Sequence, residues 1–433
     1  MKISQCMIVK NEARCIERAL AWAKDVAYEQ IVADTGSTDN TAELAEAAGA
    51  AVFHFTWVDD FSKAKNFAME QCSGDWIIMQ DADEWFTESD AAKLPAIIAR
   101  YDKLYGKRCN TIPINMINID LDGRIITEDS TLRIFRNLPR LRFEGSIHEA
   151  MPREAVYPGG FVPPTCSELK MLHDGYAPAI YAETKKLERN IALLRKELAA
   201  APDNPYLMEY LSESLRVRAS GGDEAEALEL SKRAIPLITD PHYAYFKEKA
   251  YNYCIHALAG DSQPDSREFA EGFGFAQRAY GEFPASPELS YEYAFCLYRL
   301  GRFREAYEVL LGSEKSLKAE GLDSALYDGN VYLGLLLTAN ELDEKPTMLR
   351  AATFLLSKDK YRDAAITTAY MRALNGTAEA ETVLRLLGAL YDLNNLRDKL
   401  WLLNASKGSG NAGLYEEIRA LITPEEREYL KNG

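Results

Sequence analysis

The stretch Trp76-Ile77-Ile78-Met79-Gln80-Asp81-Ala82-Asp83-Glu84 is an apolar run that ends in an Asp-x-Asp. A short apolar run of this kind reads as a buried strand. Where the strand gives way to the turn, the two carboxylates converge on one small volume instead of splitting between the faces of a sheet. That arrangement suits a hard divalent cation, because Mg²⁺ and Mn²⁺ prefer oxygen ligands and take one or two carboxylates together with the oxygens of a diphosphate. Taken alone, the pair reads more readily as acidic turn or helix-capping residues.

Working outward toward the N-terminus, short β-rich runs alternate with helical patterns. Ile3–Val9 precedes a helix after Asn11, Gln30–Ala33 a helix through Thr41–Ala48, and Ala51–Phe55 a helix from Asp60. This βαβα order predicts an α/β, Rossmann-like, mostly parallel sheet whose ligands bind outside the carboxyl ends of the strands. Two of those ends are polar. Val32-Ala33-Asp34-Thr35-Gly36-Ser37-Thr38-Asp39-Asn40-Thr41 is a strand end, a Gly turn and a capped helix, in which Asp34 can accept from a base ring and Thr38 or Asp39 can cap. Trp57-Val58-Asp59-Asp60-Phe61-Ser62-Lys63-Ala64-Lys65-Asn66 sets Lys63 and Lys65 beside an Asn near a helix start. An ordinary βα turn and solvent-facing lysines are the plain alternatives. Toward the C-terminus, Asn110–Asp120, the Asp122-Gly123 turn and Ile125–Phe135 read as strands and not as further βα units.

The order of these pieces resembles the nucleotide-sugar domain of family 2 glycosyltransferases with the GT-A fold: an opening strand and Lys10-Asn11-Glu12, then Asp34-Thr35-Gly36-Ser37-Thr38-Asp39, Ala64-Lys65-Asn66, Gly74-Asp75-Trp76 and Asp81-Ala82-Asp83. The likeness covers about the first 175 residues. By it, Val9, Glu12, Asp34 and Asp39 would line the uridine pocket, and Lys65 and Asn66 would lie near the ribose or phosphates. Asp81 would hold the nucleotide and Asp83 a Mg²⁺ or Mn²⁺ ion. Lys65 stands where the family commonly has Arg, which replaces a bidentate fork by a point charge. The family inverts the anomeric centre and needs a base on the acceptor side. Its usual Glu-Asp pair is missing, and Phe143-Glu144-Gly145-Ser146-Ile147-His148-Glu149 and Met171-Leu172-His173-Asp174-Gly175-Tyr176 stand in its region. Glu149 is assigned as the base, with Asp122 and Glu144 as fallbacks, and His173 or His148 as a further metal ligand. Arg133, Arg136, Arg140 and Arg142 are candidates for pairing with phosphate or acceptor, or for plain ion pairs.

After Pro178 the pattern turns helical, starting with Leu187, Ile191, Leu194 and Leu198 on one face. Tyr206, Tyr251, Tyr291 and Tyr332 recur at intervals of about 40 residues, and Ser286-Pro287 through Leu300-Gly301-Arg302-Phe303 to Ala306 has helix, tight turn, helix grammar. An all-α tetratricopeptide-like solenoid over 179–433 is expected behind a catalytic domain over 1–178. This pairing resembles the subgroup that includes peptide S-glycosyltransferases of bacteriocins, which implies a homodimer.

Composition narrows the function further. The 433 residues carry a net charge of −16, which disfavours nucleic acid as the main partner. The seven cysteines make no CxxC pair and read as reduced packing residues. No apolar run reaches the ~18 residues of a membrane span, and the start lacks the regions of a signal peptide, so a cytoplasmic location is expected. The expected activity is metal-dependent transfer from a UDP-sugar to a peptide or protein side chain, since concave repeat surfaces bind extended segments. A cell-surface glycan as acceptor, or a nucleotide-binding scaffold whose repeats recruit a partner, are the alternatives.

Overall fold

β1 (Ile3–Val9) is buried at every position but Ile8, the pattern of a strand covered on both faces. It sits between β2 (Glu29–Asp34) and β4 (Trp76–Met79), parallel to both, and β3 (Ala51–His54) extends the sheet beyond β2. The intervening helices are α1 (Ile16–Ala21), α2 (Thr41–Ala47) and α3 (Phe61–Glu70). The chain reaches β4 through Gly74, where a Cβ would lie 2.5 Å from Ser4 Oγ, so only glycine lets the turn approach β1 so closely. The computed structural model describes residues 1–120, 122–175, 186–320, 325–361 and 363–432.

The second half of the sheet reverses direction. β7 (Ile125–Arg136) runs antiparallel to β4 and to β6 (Thr111–Ile119), and β8 (Cys166–His173) lies parallel to β6 and antiparallel to β5 (Glu84–Phe86). The strand order is β3-β2-β1-β4-β7-β6-β8-β5. The continuous parallel, Rossmann-like part is formed by the first four strands, and beyond it only β6 and β8 pair in parallel. Side chains alternate between two cores: Trp76 and Ile78 pack with Ile97, Ile98 and Tyr101 on one face, while Ile77 and Met79 pack with Ala68 and Met69 of α3 on the other.

The chain folds as two units, Met1–Pro202 and Asp203–Gly433. The composition boundary near residue 178 lies outside the described residues. The division falls later because the helix Lys186–Ala200 belongs to the first unit. Its Glu197 accepts the Ser146 N–H, its Lys196 lies 3.9 Å from Asp59, and its Arg189 guanidinium covers the Phe61 ring at 5.0 Å. The second unit consists of six successive helix pairs among the described residues, from Pro205–Arg218 with Asp223–Leu237 to Leu396–Ser406 with Ala412–Ala420, and a last helix Pro424–Asn432. From Pro205–Arg218 through Ala364–Leu374 each helix packs on the next, and the first helices of neighbouring pairs also touch, which is how stacked repeats build a core. Tyr206, Tyr251, Tyr291 and Tyr332 all lie on first helices. At the tight turn, Gly301 (φ 72°) follows the helix Pro287–Arg299, and Arg302 N–H returns to Leu297 O. All seven cysteines are free and buried. Among the described residues no helix is long and apolar enough to cross a membrane.

Candidate functional site

The register of the parallel strands puts Val9 opposite Asp34 and Asp34 opposite His54, one row at the carboxyl edge of the sheet. The loops leaving this row are tied to each other. Thr35 donates to Val9 O through its N–H and its hydroxyl. Asp34 accepts the Ser37 N–H (3.1 Å) and hydroxyl (2.5 Å), with His54 Nδ1 at 3.5 Å. Asp39, just before the Asn40 N-cap of α2, accepts Thr41 N–H and hydroxyl, and its other oxygen takes the Ala13 N–H. Burial by itself would raise the Asp39 carboxyl, but these hydrogen bonds together outweigh it and hold the group below its ordinary value. The Asn11 side chain accepts Thr38 N–H, and the Thr41 hydroxyl accepts Glu12 N–H. Glu12 in turn accepts the Cys15 thiol at 3.1 Å. Burial, and then the charge of Glu12, push that thiol far up, so it stays a neutral donor. Val9, Glu12, Asp34 and Asp39 thus come together as one braced rim.

The Asp-x-Asp lies one strand away and its two carboxylates face different partners. Asp81 is approached by Lys65 Nζ (3.9 Å) and Arg133 Nη2 (3.5 Å). Lys65, on α3, is buried and lies 2.6 Å from Glu149 Oε1. Burial alone would lower the Lys65 ammonium, but the charges of Asp81 and Glu149 outweigh it and raise it. Arg133, on β7, forks onto the buried Glu84 (2.8 and 2.5 Å). Burial pushes the Glu84 carboxyl up further than that fork pulls it down. The groups form a chain of alternating charge, Glu149, Lys65, Asp81, Arg133, Glu84.

Asp83 turns the other way. Its Oδ2 stands 3.6 Å from His173 Nε2, because β5 pairs with β8 in a register that sets Glu84 opposite His173. His173 Nδ1 lies 2.7 Å from Asn118 Oδ1, and the Asn118 amide donates onward to Thr127 and Asp129. Burial alone would lower the His173 imidazole, but the hydrogen bond to Asp83 and that carboxylate's charge outweigh it and raise it. The contact of Nδ1 with Asn118 fixes the ring so that Nε2 faces Asp83, the way a second ring nitrogen orients a metal-binding imidazole. Gly175 closes the cradle: a Cβ there would lie 2.5 Å from His173 Nε2 and deep inside van der Waals contact with Asp83 Oδ2. Among the described residues no three His, Cys, Asp or Glu side chains gather into a ready metal cage. The pair fits a divalent cation that draws its remaining ligands from a bound diphosphate.

Other candidates lie elsewhere. His148 is exposed at φ 51° in the loop between Glu144 and Ala150. Asp122 is exposed beside Arg124, and Glu144 is exposed. Both ends of the Asn66 amide are taken by the Phe143 backbone, each at 2.9 Å. Arg136 holds Asp102 and two carbonyls, Arg142 holds the carbonyls of Leu138 and Leu141, and Arg140 is exposed, so Arg133 alone of the four arginines reaches Asp81. No sequence pattern singles out Glu84, Asn118, Cys15 or Gly175 for these roles. Asn118 carries a faint signal, a polar residue within the apolar run Ile114–Ile119.

Residues 4–111 match the family model described as glycosyl transferase family 2. The N-terminal unit carries a family 2 glycosyltransferase domain. Around this glycosyltransferase domain the chain is similar to a TPR repeat-containing protein of Synechococcus elongatus, 36% identical over 34% of this chain and 35% of that one. It is similar also to the SPbeta prophage-derived glycosyltransferase SunS of Bacillus subtilis, 28% identical over 53% of this chain and 52% of that one. The chain therefore spans about a third to a half of the length of these curated relatives. A glucosyl-3-phosphoglycerate synthase of Mycobacterium tuberculosis, solved with Mn²⁺, UDP and glucosyl-3-phosphoglycerate, matches at 23% identity and a TM-score of 0.23 over 27% of this chain and 44% of that one.

Proposed function

We propose that the chain is a metal-dependent inverting glycosyltransferase that moves a sugar from a UDP-sugar to a peptide or protein side chain. The observation that carries this reading is the divided Asp-x-Asp, with Asp83 turned to an oriented histidine in a glycine cradle and Asp81 to two cations next to Glu149. Asp83 and His173 would hold Mg²⁺ or Mn²⁺, which when bound neutralises charge on the diphosphate. Val9, Glu12, Asp34 and Asp39 would receive the uridine at the strand ends. Glu149 accepts the proton of the acceptor hydroxyl as that oxygen bonds to the sugar C1 and the C1–O bond to UDP breaks on the opposite face. Lys65 and Arg133 stand where negative charge gathers on the departing UDP, preorganised by Glu149 and Glu84. Asn66 supports this arrangement by fixing Phe143 rather than by touching the donor. The helical pairs support a polypeptide acceptor, as does the likeness to peptide S-glycosyltransferases, and a homodimer and a cytoplasmic location accord with that likeness.

UDP release from a panel of UDP-sugars, with Mn²⁺, Mg²⁺ or EDTA, tests the reading on the whole chain and on Asp83→Ala. Metal-dependent release from one or two sugars, lost in the variant, is the expected result. Full release by Asp83→Ala would remove the metal assignment, and no release or UDP binding by the unaltered chain would remove the enzyme.

A further inference from the structure

We propose that Glu197, on the last helix of the first unit, is a positioning residue for the base: it holds the 144–150 loop and so sets Glu149 against Lys65. The inference rests on the reading of Glu149 as the base. The loop is closed at its neck by two backbone hydrogen bonds between Glu144 and Ala150 (2.9 and 3.1 Å). Its tip passes through the left-handed region twice, at Gly145 (φ 92°) and His148 (φ 51°), and so has no ladder of its own to hold it.

Its support comes from two helices. From α3, Phe61 N–H donates to Ser146 O at 2.9 Å, and the Ser62 hydroxyl donates to Gly145 O. Asn66 fixes Phe143 just before the neck. From the opposite side, the Ser146 N–H donates to the Glu197 carboxylate. Ser146 therefore gives its carbonyl to one helix and its N–H to the other, and Glu149 follows three residues on. The same helix grips the start of α3, through Arg189 over Phe61 and Lys196 near Asp59. Both supports bear on one point. A hydrogen bond to a carboxylate is about twice as strong as a neutral one, and a displacement of about 1 Å at a reacting group can cost about 10²-fold in rate.

The experiment uses the whole chain and compares Glu197→Ala, Glu197→Gln and Glu149→Gln. The readouts are UDP release into water from the accepted UDP-sugar, UDP affinity, and deuterium uptake over residues 144–150. Glu197→Ala should lower kcat by about 10- to 100-fold, leave KM for the donor and UDP affinity unchanged, and speed exchange in the loop. Glu197→Gln, whose amide oxygen can accept the same N–H, should restore both kcat and protection. Unaltered kcat or unaltered loop exchange in Glu197→Ala would overturn the proposal, as would a Gln variant no better than Ala. Glu149→Gln turning over at the rate of the unaltered chain would instead overturn the base, whatever Glu197 does.

Discussion

Gly175 occupies a place where any larger residue would push Asp83 and His173 apart. Its backbone does not need left-handed geometry, so the requirement is one of space alone. Gly175→Ala is expected to weaken Mn²⁺ binding in the presence of UDP by about 10- to 100-fold, the range for losing a support of a metal ligand, without lowering the melting temperature. Titration calorimetry paired with a thermal melt checks both halves, and unchanged Mn²⁺ affinity would show that the cradle is not a metal site. At this scale the carboxylates are legible in sequence because they end a strand, whereas their partners are not. Lys65 reads as a solvent-facing lysine or a phosphate contact, yet it is buried against Glu149. Arg133 is one of four similar arginines, and only the pairing of β7 with β4 separates it from the rest.

Among elements, β5 and β8 leave no clear mark in the sequence pattern, since three residues are too few to show a period and β8 alternates imperfectly. Yet their pairing is what delivers His173 to Asp83. In the second unit the helix Pro205–Arg218 buries Glu209, one of whose carboxylate oxygens has no hydrogen-bond partner among the described residues. Burial pushes this carboxyl up from 4.5 to about 7. Between those values the folded chain holds more protons than the unfolded one, so stability falls as pH rises from about 4.5 to about 7 and stays at the lower level above. The slope is at most about 1.4 kcal/mol per pH unit. Glu209→Gln should flatten this dependence and stabilise the helical unit at pH 8, as read from urea unfolding at several pH values. A variant with the slope of the unaltered chain would place the dependence elsewhere.

For the molecule as a whole, the position of the unit boundary matters most. A chain ending at Pro202 keeps Glu197, Arg189 and Lys196 on the glycosyltransferase domain; one ending at residue 178 loses all three. The longer piece is expected to melt in one cooperative transition and to bind UDP like the whole chain, and the shorter one to melt lower and broader. Equal melting of the two would show that the helix adds nothing to the first unit. Neither piece should transfer to the natural acceptor if the helical pairs hold it, and transfer by the longer piece at the rate of the whole chain would remove that role.

The order of the first four strands and their helices, the carboxylates at strand ends and the helical repeat were determined by the sequence itself. Each is encoded among neighbouring residues, as an apolar run, a Gly or Asp turn, or a Tyr returning every 40 or so residues on the first helix of a pair. The placement of His173, and not His148, beside Asp83, the burial of Lys65 on Glu149, the Arg133 fork on Glu84 and the grip of Glu197 on Ser146 were decided only by the tertiary structure. These depend on strand register and on helices packed from far along the chain, and a one-residue slip in register, invisible in residue spacing, would turn His173 to the other face of the sheet.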